Sequence, residues 1–307
     1  RERMQSLPRI NPPSGFDKTV ARKTLCCVTI TVYNTFNIIY REGILVAKDA
    51  AKTHVTRIEI EDDIATIIFA RPDKRNAMND ALVAALDDFF SHPPEGVRAV
   101  ILYGEGGHFC SGLDLSEHEH RSPEETVYHS RNWHRVADLI EYGGLPVIAA
   151  MTGAVIGGGL EIATSAHVRI AEPSVRFQLP EGRRGIFVGG GATVRVGRIV
   201  GADRMREMML TGRNYGAEDG LRLGLAHYSV GEGEALPLAK KLAREVADNA
   251  PFSNYLMIQA IGRIGDMSRA DGLFTESLSA AMSQTSAGAQ EGLRAFLEKR
   301  PPDFHKK

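Results

Sequence analysis

Three glycine-rich loops, each following a short strand-like segment, are the feature that most constrains the fold of this chain. The first, GEGGHFCSGLDL, follows a continuous apolar run at 97–103, and the second, at 153–159, follows another at 145–151. The third lies in GIFVGGGATVRVGRIVG, after an extended piece around Phe177. Short continuous apolar runs are typical of strands buried on both faces, and loops at strand ends often carry chemistry. The pattern predicts an α/β core with functional residues in its glycine loops.

The sequence around these loops predicts the remaining elements. A hairpin is predicted over 56–69, a helix over 80–91 with Asn79 as its N-cap, and a strand over 168–171. Helical spacing and capping residues predict further helices at 124–142, 160–165, 204–210, 217–223, 236–249, 252–264, 271–284 and 289–299. The second half of the chain is therefore expected to be mostly helical.

Composition excludes several classes of protein. The 307 residues are 43% hydrophobic and 24% charged, close to globular averages, which excludes wholesale disorder. The 37 Lys and Arg residues nearly balance 38 Asp and Glu, so no strong net field draws the chain to nucleic acid or to an anionic membrane. Cys26, Cys27 and Cys110 are too few for a disulfide framework or a four-thiolate zinc site, which fits a reducing compartment. The apolar run at 25–40 is interrupted by polar residues and predicts a strand, not a membrane span.

Three regions are predicted along the chain. Residues 1–55 form an N-terminal extension of unknown structure, 56–250 form the core, and 251–307 form a helical C-terminal section. The extension carries more Lys and Arg than acid, so it is either a variable arm or an organelle transit segment. We expect a soluble protein in the cytoplasm, with a mitochondrial or other organelle location if the extension is a transit segment.

The sequence lacks four common motifs for binding a nucleotide, presenting a nucleophile or binding zinc. In the three glycine loops, Phe109, Ile162 and Val194 stand where the dinucleotide fingerprint requires its last glycine. No Gly-Lys-Ser/Thr phosphate loop occurs, and Ser111 lacks the flanking glycines of a hydrolase elbow. The four histidines between 118 and 134 do not form the HExxH pattern of a zinc site. We expect no metal ion.

Two acids and two glycine loops supply candidate catalytic groups. Glu161 follows the second glycine loop, and Glu181 comes one strand and one turn later. A carboxylate just past such a loop can be a partly desolvated general base, although a glutamate in a first helical turn is more commonly a partner of the helix dipole. Amides at a helix start lack an intrahelical acceptor, so Gly158 can donate to an oxyanion together with Leu113 of the first loop. Structural glycine turns are the alternative interpretation.

Six ordered motifs resemble one known family. They are ARPDKRNAMN at 70–79, GHFCSGLDL at 107–115, IGGGLEIATSAHVRIA at 156–171, FQLPEGRRGI at 177–186, LTGRNYGAEDGLRLGLAHYSV at 210–230 and EGLRAFLEKRPPDF at 291–304. Together they resemble the crotonases, the enoyl-CoA hydratase/isomerase superfamily, over about 56–307. The resemblance implies a ClpP/crotonase spiral of repeated ββα units with a helical C-terminal section that makes homotrimers, often paired into hexamers.

The resemblance also implies a chemistry. The substrate is an acyl-CoA thioester whose carbonyl oxygen is held by the amides of Leu113 and Gly158, and no separate cofactor is needed because CoA is part of the substrate. Hydratases resemble this chain in having both Glu161 and Glu181, which hold one water for syn addition to a 2-enoyl-CoA. Isomerases and hydroxycinnamoyl-CoA hydratase-lyases generally keep only the second acid. Hydration is therefore favoured, with these two activities and a non-catalytic acyl-CoA-binding scaffold as alternatives.

The matching motifs imply further substrate-binding residues. On this basis we expect contacts with substrate from Lys74, Arg75, Ser111, Gly112, Asp114, Gly157, Phe187 and Lys299. The cations can face CoA phosphates or the adenine end, but they can equally be ordinary surface cations. The chain departs from the family at Ser116, where many relatives have lysine, and at 185–189, where a proline-bearing turn is usual. Phe187 and Val188 can shape the acyl pocket, or simply pack.

Overall fold

A mixed β-sheet forms the centre of the computed structural model, which describes residues 37–41, 44–48, 55–116 and 121–304. In chain order its strands, with those of a smaller sheet, are β1 (Asn37–Arg41), β2 (Ile44–Lys48), β3 (Thr56–Glu61), β4 (Ile64–Phe69), β5 (Ala99–Gly104), β6 (Val147–Met151), β7 (Ala154–Ile156), β8 (Val168–Ala171), β9 (Arg176–Gln178) and β10 (Tyr228–Ser229). Among the described residues, the main sheet has the order β1-β2-β3-β4-β5-β6-β8-β10, and β7 pairs with β9 in the smaller sheet.

Two of these strands fall within the predicted N-terminal extension. β1 and β2 form a hairpin, and β2 continues the sheet by pairing with β3. The strand predicted within 25–40 is described only for its last residues, which belong to β1. The rest of that prediction lies outside the described residues.

The direction of the strands changes at β4. The predicted hairpin at 56–69 is confirmed by the antiparallel pairing of β3 with β4, which turns at Asp62 with a φ of 56°. From β4 through β10 the neighbouring strands are parallel. Because parallel strands end at the same edge of a sheet, the glycine loops that follow β5 and β6 come to one edge.

Ten α-helices are assigned in the described part of the chain. They are α1 (Asp80–Ser91), α2 (Pro123–Tyr142), α3 (Gly158–Ala163), α4 (Ala192–Val200), α5 (Ala202–Thr211), α6 (Ala217–Leu223), α7 (Ala235–Ala247), α8 (Pro251–Ile264), α9 (Arg269–Gln284) and α10 (Ala287–Leu297). Nine of them confirm predicted helices to within two residues at each end. The Asn79 side chain accepts a hydrogen bond from the Leu82 amide, as a predicted N-cap should.

The tenth helix and one strand were not predicted. The sequence of α4 was interpreted as part of the third glycine-rich stretch, and that of β7 as part of the second glycine loop. β7 has three residues, and its backbone pairs with β9, which lies 22 residues further along the chain. Such a strand carries too little periodicity to be recognised without its distant partner.

The core lies on both faces of the main sheet. Alternate residues of β5 point to opposite faces, so Val100 and Leu102 join α1 and α2 on one side while Ala99 and Ile101 face α7 on the other. α7 buries alanines four residues apart, at 235, 239, 243 and 247, which lets the helix approach the sheet closely. The main sheet thus packs between helices on both faces.

Candidate active site

The first two glycine loops bring two backbone amides together. A methyl group added at Gly112 would lie 3.4 Å from the amide nitrogen of Gly158, and one added at Gly158 would lie 3.6 Å from the amide nitrogen of Leu113. The backbone on either side of Leu113 bonds to Met78, through the Gly112 carbonyl and the Asp114 amide. In the described part of the chain, neither the Leu113 amide nor the Gly158 amide donates a hydrogen bond. Two neighbouring amides without acceptors can stabilise one oxyanion.

Glu181 packs against Gly157, the residue that precedes the Gly158 amide. It begins a short 3₁₀ helix, Glu181–Arg184, and its side chain is buried. Its Oε1 would lie 2.8 Å from a methyl group at Gly157, whose φ of 53° also favours glycine. Its Oε2 is buried without a hydrogen-bond partner within the described residues. Burial, together with the negative charge of Glu161, raises the pKa of Glu181 to about 7.

Glu161 is also buried but is held by the backbone. It lies in the first turn of α3, and its Oε1 accepts hydrogen bonds from the amides of Gly190 and Ala192 at 2.8 and 3.0 Å. A methyl group at Gly190 would come within 2.7 Å of Oε2. Burial raises the pKa of Glu161, and the two backbone amides oppose that rise. The third glycine loop is therefore the support of this carboxylate.

A buried arginine, Arg195, connects the third glycine loop to α2. Arg195 of α4 donates to Glu141 and to Asp138, each at 2.5 Å, and its Nη1 also approaches the Gly190 carbonyl at 3.4 Å. Its side chain is only 7% exposed, whereas that of Asp138 is 62% exposed. The loop that holds Glu161 is thus tied to α2 through one guanidinium group. Sequence reasoning missed Arg195, because it lies on the helix that was not predicted.

One cavity of about 600 Å³ contains both acids and both amides, a size within the usual range of ligand sites. Its wall includes Trp133 of α2, whose six-membered ring would lie 2.8 Å from a methyl group at Gly158 and 3.1 Å from one at Gly190. The indole therefore fills the space between one oxyanion amide and the loop that holds Glu161. Trp133 was also missed, since nothing in the sequence of α2 connects it to the glycine loops.

Comparisons with known proteins identify the family of this chain. The model of the Enoyl-CoA hydratase/isomerase family matches residues 59–307. The chain belongs to this family. It is 33% identical over 251 residues to human enoyl-CoA hydratase domain-containing protein 2, mitochondrial, covering 80% of this chain and 86% of that protein. It is also 33% identical over 246 residues to the short-chain-enoyl-CoA hydratase of Clostridium acetobutylicum, covering 79% of this chain and 94% of that enzyme.

A solved structure confirms the predicted crotonase fold. It is a Rhodopseudomonas palustris protein, provisionally named an enoyl-CoA hydratase, with 46% identity and a TM-score of 0.79. The match covers 82% of this chain and 98% of that one. The predicted fold class and the predicted membership of the enoyl-CoA hydratase/isomerase superfamily are both confirmed.

The predicted substrate-binding residues fall into two groups. Ser111, Gly112, Gly157 and Phe187 line the cavity, and the Phe187 side chain is exposed at its mouth. The cavity lining in the described part of the chain does not include Lys74, Arg75, Asp114 or Lys299. The roles of all eight residues in substrate binding stay predictions.

The cations of the predicted CoA region lie beside the first glycine loop. Lys74 is exposed, and its Nζ donates to the Ser116 hydroxyl at 3.1 Å, while the Arg75 carbonyl accepts a hydrogen bond from the Ser111 amide. Ser116, the residue at which the chain departs from its relatives, thus contacts a cation that can face CoA phosphates.

Asp114 stabilises the first glycine loop through buried contacts. Its carboxylate is buried and forms an ion pair with Arg71 at 2.8 Å, and it accepts two hydrogen bonds from Ser116. Although burial opposes it, the hydrogen bonds from Ser116 and Arg71 hold the pKa of Asp114 at about 2. Asp114 therefore fixes the backbone that presents the Leu113 amide.

The described residues lack two further features. Within them, no cluster of three or more His, Cys, Asp or Glu side chains is arranged to hold a metal ion. No helix described here combines the length and apolar character needed to cross a bilayer. His118 and His120 lie outside the described residues, and His129 contacts Asp80 at 2.8 Å.

Proposed function

We propose that this chain is an enoyl-CoA hydratase that adds water to a 2-enoyl-CoA thioester. One observation carries the proposal: two buried carboxyl groups and two amides without acceptors line the same cavity. The amides would hold the thioester oxygen as negative charge develops on it, which makes the β-carbon open to attack and the α-carbon able to accept a proton. This role for Leu113 and Gly158 requires no charged side chain.

The two acids divide the proton transfers between them. Glu161, ionised and held by two amides, accepts a proton from water as the water oxygen bonds to the β-carbon. Glu181, protonated, gives its proton to the α-carbon as the enolate collapses. Atoms balance, because water supplies the hydroxyl group and the net proton, and transfer from Glu161 back to Glu181 restores the starting state. The pKa of about 7 for Glu181 suits a group that must exchange a proton near neutral pH.

A panel of three thioesters tests the proposal against its alternatives. We expect crotonyl-CoA to lose its conjugated absorbance and yield 3-hydroxybutyryl-CoA. Conversion of a 3-enoyl-CoA to its 2-enoyl isomer without hydration would instead indicate an isomerase, and cleavage of feruloyl-CoA would indicate a hydratase-lyase. Thermal stabilisation by CoA esters with turnover of none would support a non-catalytic scaffold. Product identification by mass spectrometry distinguishes these outcomes.

The C-terminal helices support a homotrimer, alone or paired into a hexamer, as part of the proposal. Large apolar side chains of α8, α9 and α10 stay exposed, including Ile261 at 69%, Phe274 at 66% and Phe296 at 78%. Exposed apolar side chains on three consecutive helices are typical of surfaces that pack against another subunit.

The expected location is the cytoplasm, with mitochondria as the alternative, since two matched relatives from Arabidopsis thaliana and human carry mitochondrial names.

A further inference from the structure

The cavity wall carries positive charge that the proposed hydration does not use. Arg131 belongs to α2, and Arg184 ends the 3₁₀ helix that Glu181 begins. Both arginines line the cavity and both are exposed. The ion pairs formed within 55–116 and 121–304 include neither of them. The nearest interactions of these arginines are weaker: Arg131 contacts the His134 ring at 3.4 Å, and the charge of Arg184 lowers the pKa of Glu181.

The other charged groups of the cavity are already engaged. Arg121 and His129 both contact the carboxylate of Asp80, at 2.9 and 2.8 Å. The acids that line the described cavity are Glu161 and Glu181, which the proposed mechanism uses. Arg131 and Arg184 are therefore available to an anionic group of the substrate.

The position of these arginines separates them from the proposed CoA contacts. Lys74 and Arg75 lie against Ser111, whose hydroxyl donates to the Lys74 carbonyl at 3.2 Å. Arg131 instead follows Ser130, whose hydroxyl donates to the Gly189 carbonyl at 2.6 Å. α2 thus closes on the segment 184–190, which begins with Arg184 and contains the predicted acyl-pocket residue Phe187. The two arginines therefore belong to the parts of the cavity wall that α2 and the segment 184–190 form.

We propose that Arg131 and Arg184 bind a carboxylate at the far end of the acyl chain. The preferred substrates are then 2-enoyl-CoA thioesters with an acidic terminus, an inference that rests on the proposed function. Guanidinium groups present N–H donors in a planar fork that matches a carboxylate, and such charge-assisted hydrogen bonds are stronger than neutral ones. Phe187 and Val127, which line the same mouth, would cover the methylene groups between the double bond and the carboxylate.

A matched pair of substrates tests this inference. Glutaconyl-CoA and 2-pentenoyl-CoA have the same number of acyl carbons, and only the first ends in a carboxylate. For the wild-type protein we expect kcat/KM to favour glutaconyl-CoA about 10- to 100-fold, and we expect Arg131→Gln with Arg184→Gln to abolish that ratio. Arg135→Gln is the control, because Arg135 lies one turn further along α2, is exposed and is paired with Asp87 outside the cavity. It should leave the ratio unchanged.

The ratio separates the acyl carboxylate from CoA phosphates as the bound anion. If the arginines bound phosphates, the double variant would lose activity equally on both thioesters, the ratio would not change, and the inference would be overturned. A wild-type ratio of one or less would overturn it as well.

The inference can also be tested if no thioester is hydrated. In that case the proposed hydratase function fails, and calorimetric binding of glutaryl-CoA and valeryl-CoA, which have no double bond, gives the same comparison. Tighter binding of glutaryl-CoA by the wild type, lost in the double variant, supports the inference. Equal binding of the two contradicts it.

Discussion

The two walls that carry the acids are built in opposite ways. Glu161 is held by two backbone amides of a loop that Arg195 ties to α2, so its carboxylate has a fixed position and the amides oppose the rise in its pKa that burial causes. Glu181 is buried against Gly157 with one oxygen unpartnered among the described residues, so its charge is poorly stabilised and its pKa rises to about 7. The comparison teaches that burial raises the pKa of both carboxyl groups, while two amides of the third glycine loop oppose the rise at Glu161.

Removing either carboxylate should have the largest effect. Glu161→Gln and Glu181→Gln should each lower hydration of crotonyl-CoA about 100- to 10,000-fold, because each removes one partner in proton transfer. Steady-state kinetics measures the loss. Binding of butyryl-CoA, which cannot be hydrated, serves as the control and should change little, because glutamine preserves the shape of the wall. Unchanged turnover in both variants would refute the assignment of the pair.

Releasing the support of Glu161 should have a smaller effect. Arg195→Met removes the ion pairs with Asp138 and Glu141 and the contact with the Gly190 carbonyl, so the loop that holds Glu161 loses its anchor. We expect kcat to fall about 10- to 100-fold, since small displacements of a catalytic group carry costs of that size. The remaining activity should still fall as the pH rises above about 7, because Glu181 is unchanged in this variant.

The matched control for this variant lies on the same helix. Arg198→Met removes an exposed ion pair with Asp266 and should leave kcat unchanged. Thermal unfolding of both variants separates loss of stability from loss of activity. If Arg195→Met and Arg198→Met have the same kcat, Arg195 does not position the loop.

The electrostatic interaction between Glu161 and Glu181 predicts the smallest effect. Glu181 must be protonated to give a proton to the α-carbon, so kcat/KM for hydration should fall as the pH rises above about 7. The Glu161 carboxylate contributes to the raised pKa of Glu181, so Glu161→Gln should move this limb to lower pH. Residual activity measured between about pH 5 and 9 checks the direction.

The reverse reaction supplies the control for this pH dependence. Dehydration of 3-hydroxybutyryl-CoA starts from protonated Glu161 and ionised Glu181, so the pair carries one proton in both directions and kcat/KM for dehydration should fall over the same pH range. A limb that stays in place or moves to higher pH in Glu161→Gln would contradict the coupling.

Local patterns predicted most of the elements, whereas contacts between distant segments decided the rest. The hairpin at 56–69 and the helix capped by Asn79 follow from periodicity and capping, which depend only on neighbouring residues. β7 and α4 were missed, because a strand of three residues exists only through its pairing with β9, and α4 begins inside a glycine run whose composition favours a loop. The pairing of β2 with β3, which joins β1 and β2 to the main sheet, could not be predicted, since it depends on contacts between separate strands.

By itself, the sequence determined the family, the two acids and the two glycine loops that present amides, because each of these is encoded by a short run of adjacent residues. Only the tertiary structure decided that Glu161 is supported by Gly190, Ala192 and Arg195, that Trp133 fills the gap beside Gly158, and that Arg131 and Arg184 share one cavity. The physical reason is that burial, hydrogen bonding and charge pairing depend on distances between segments far apart in the chain. Those distances, and not residue identity, set the proton affinity of each carboxyl group.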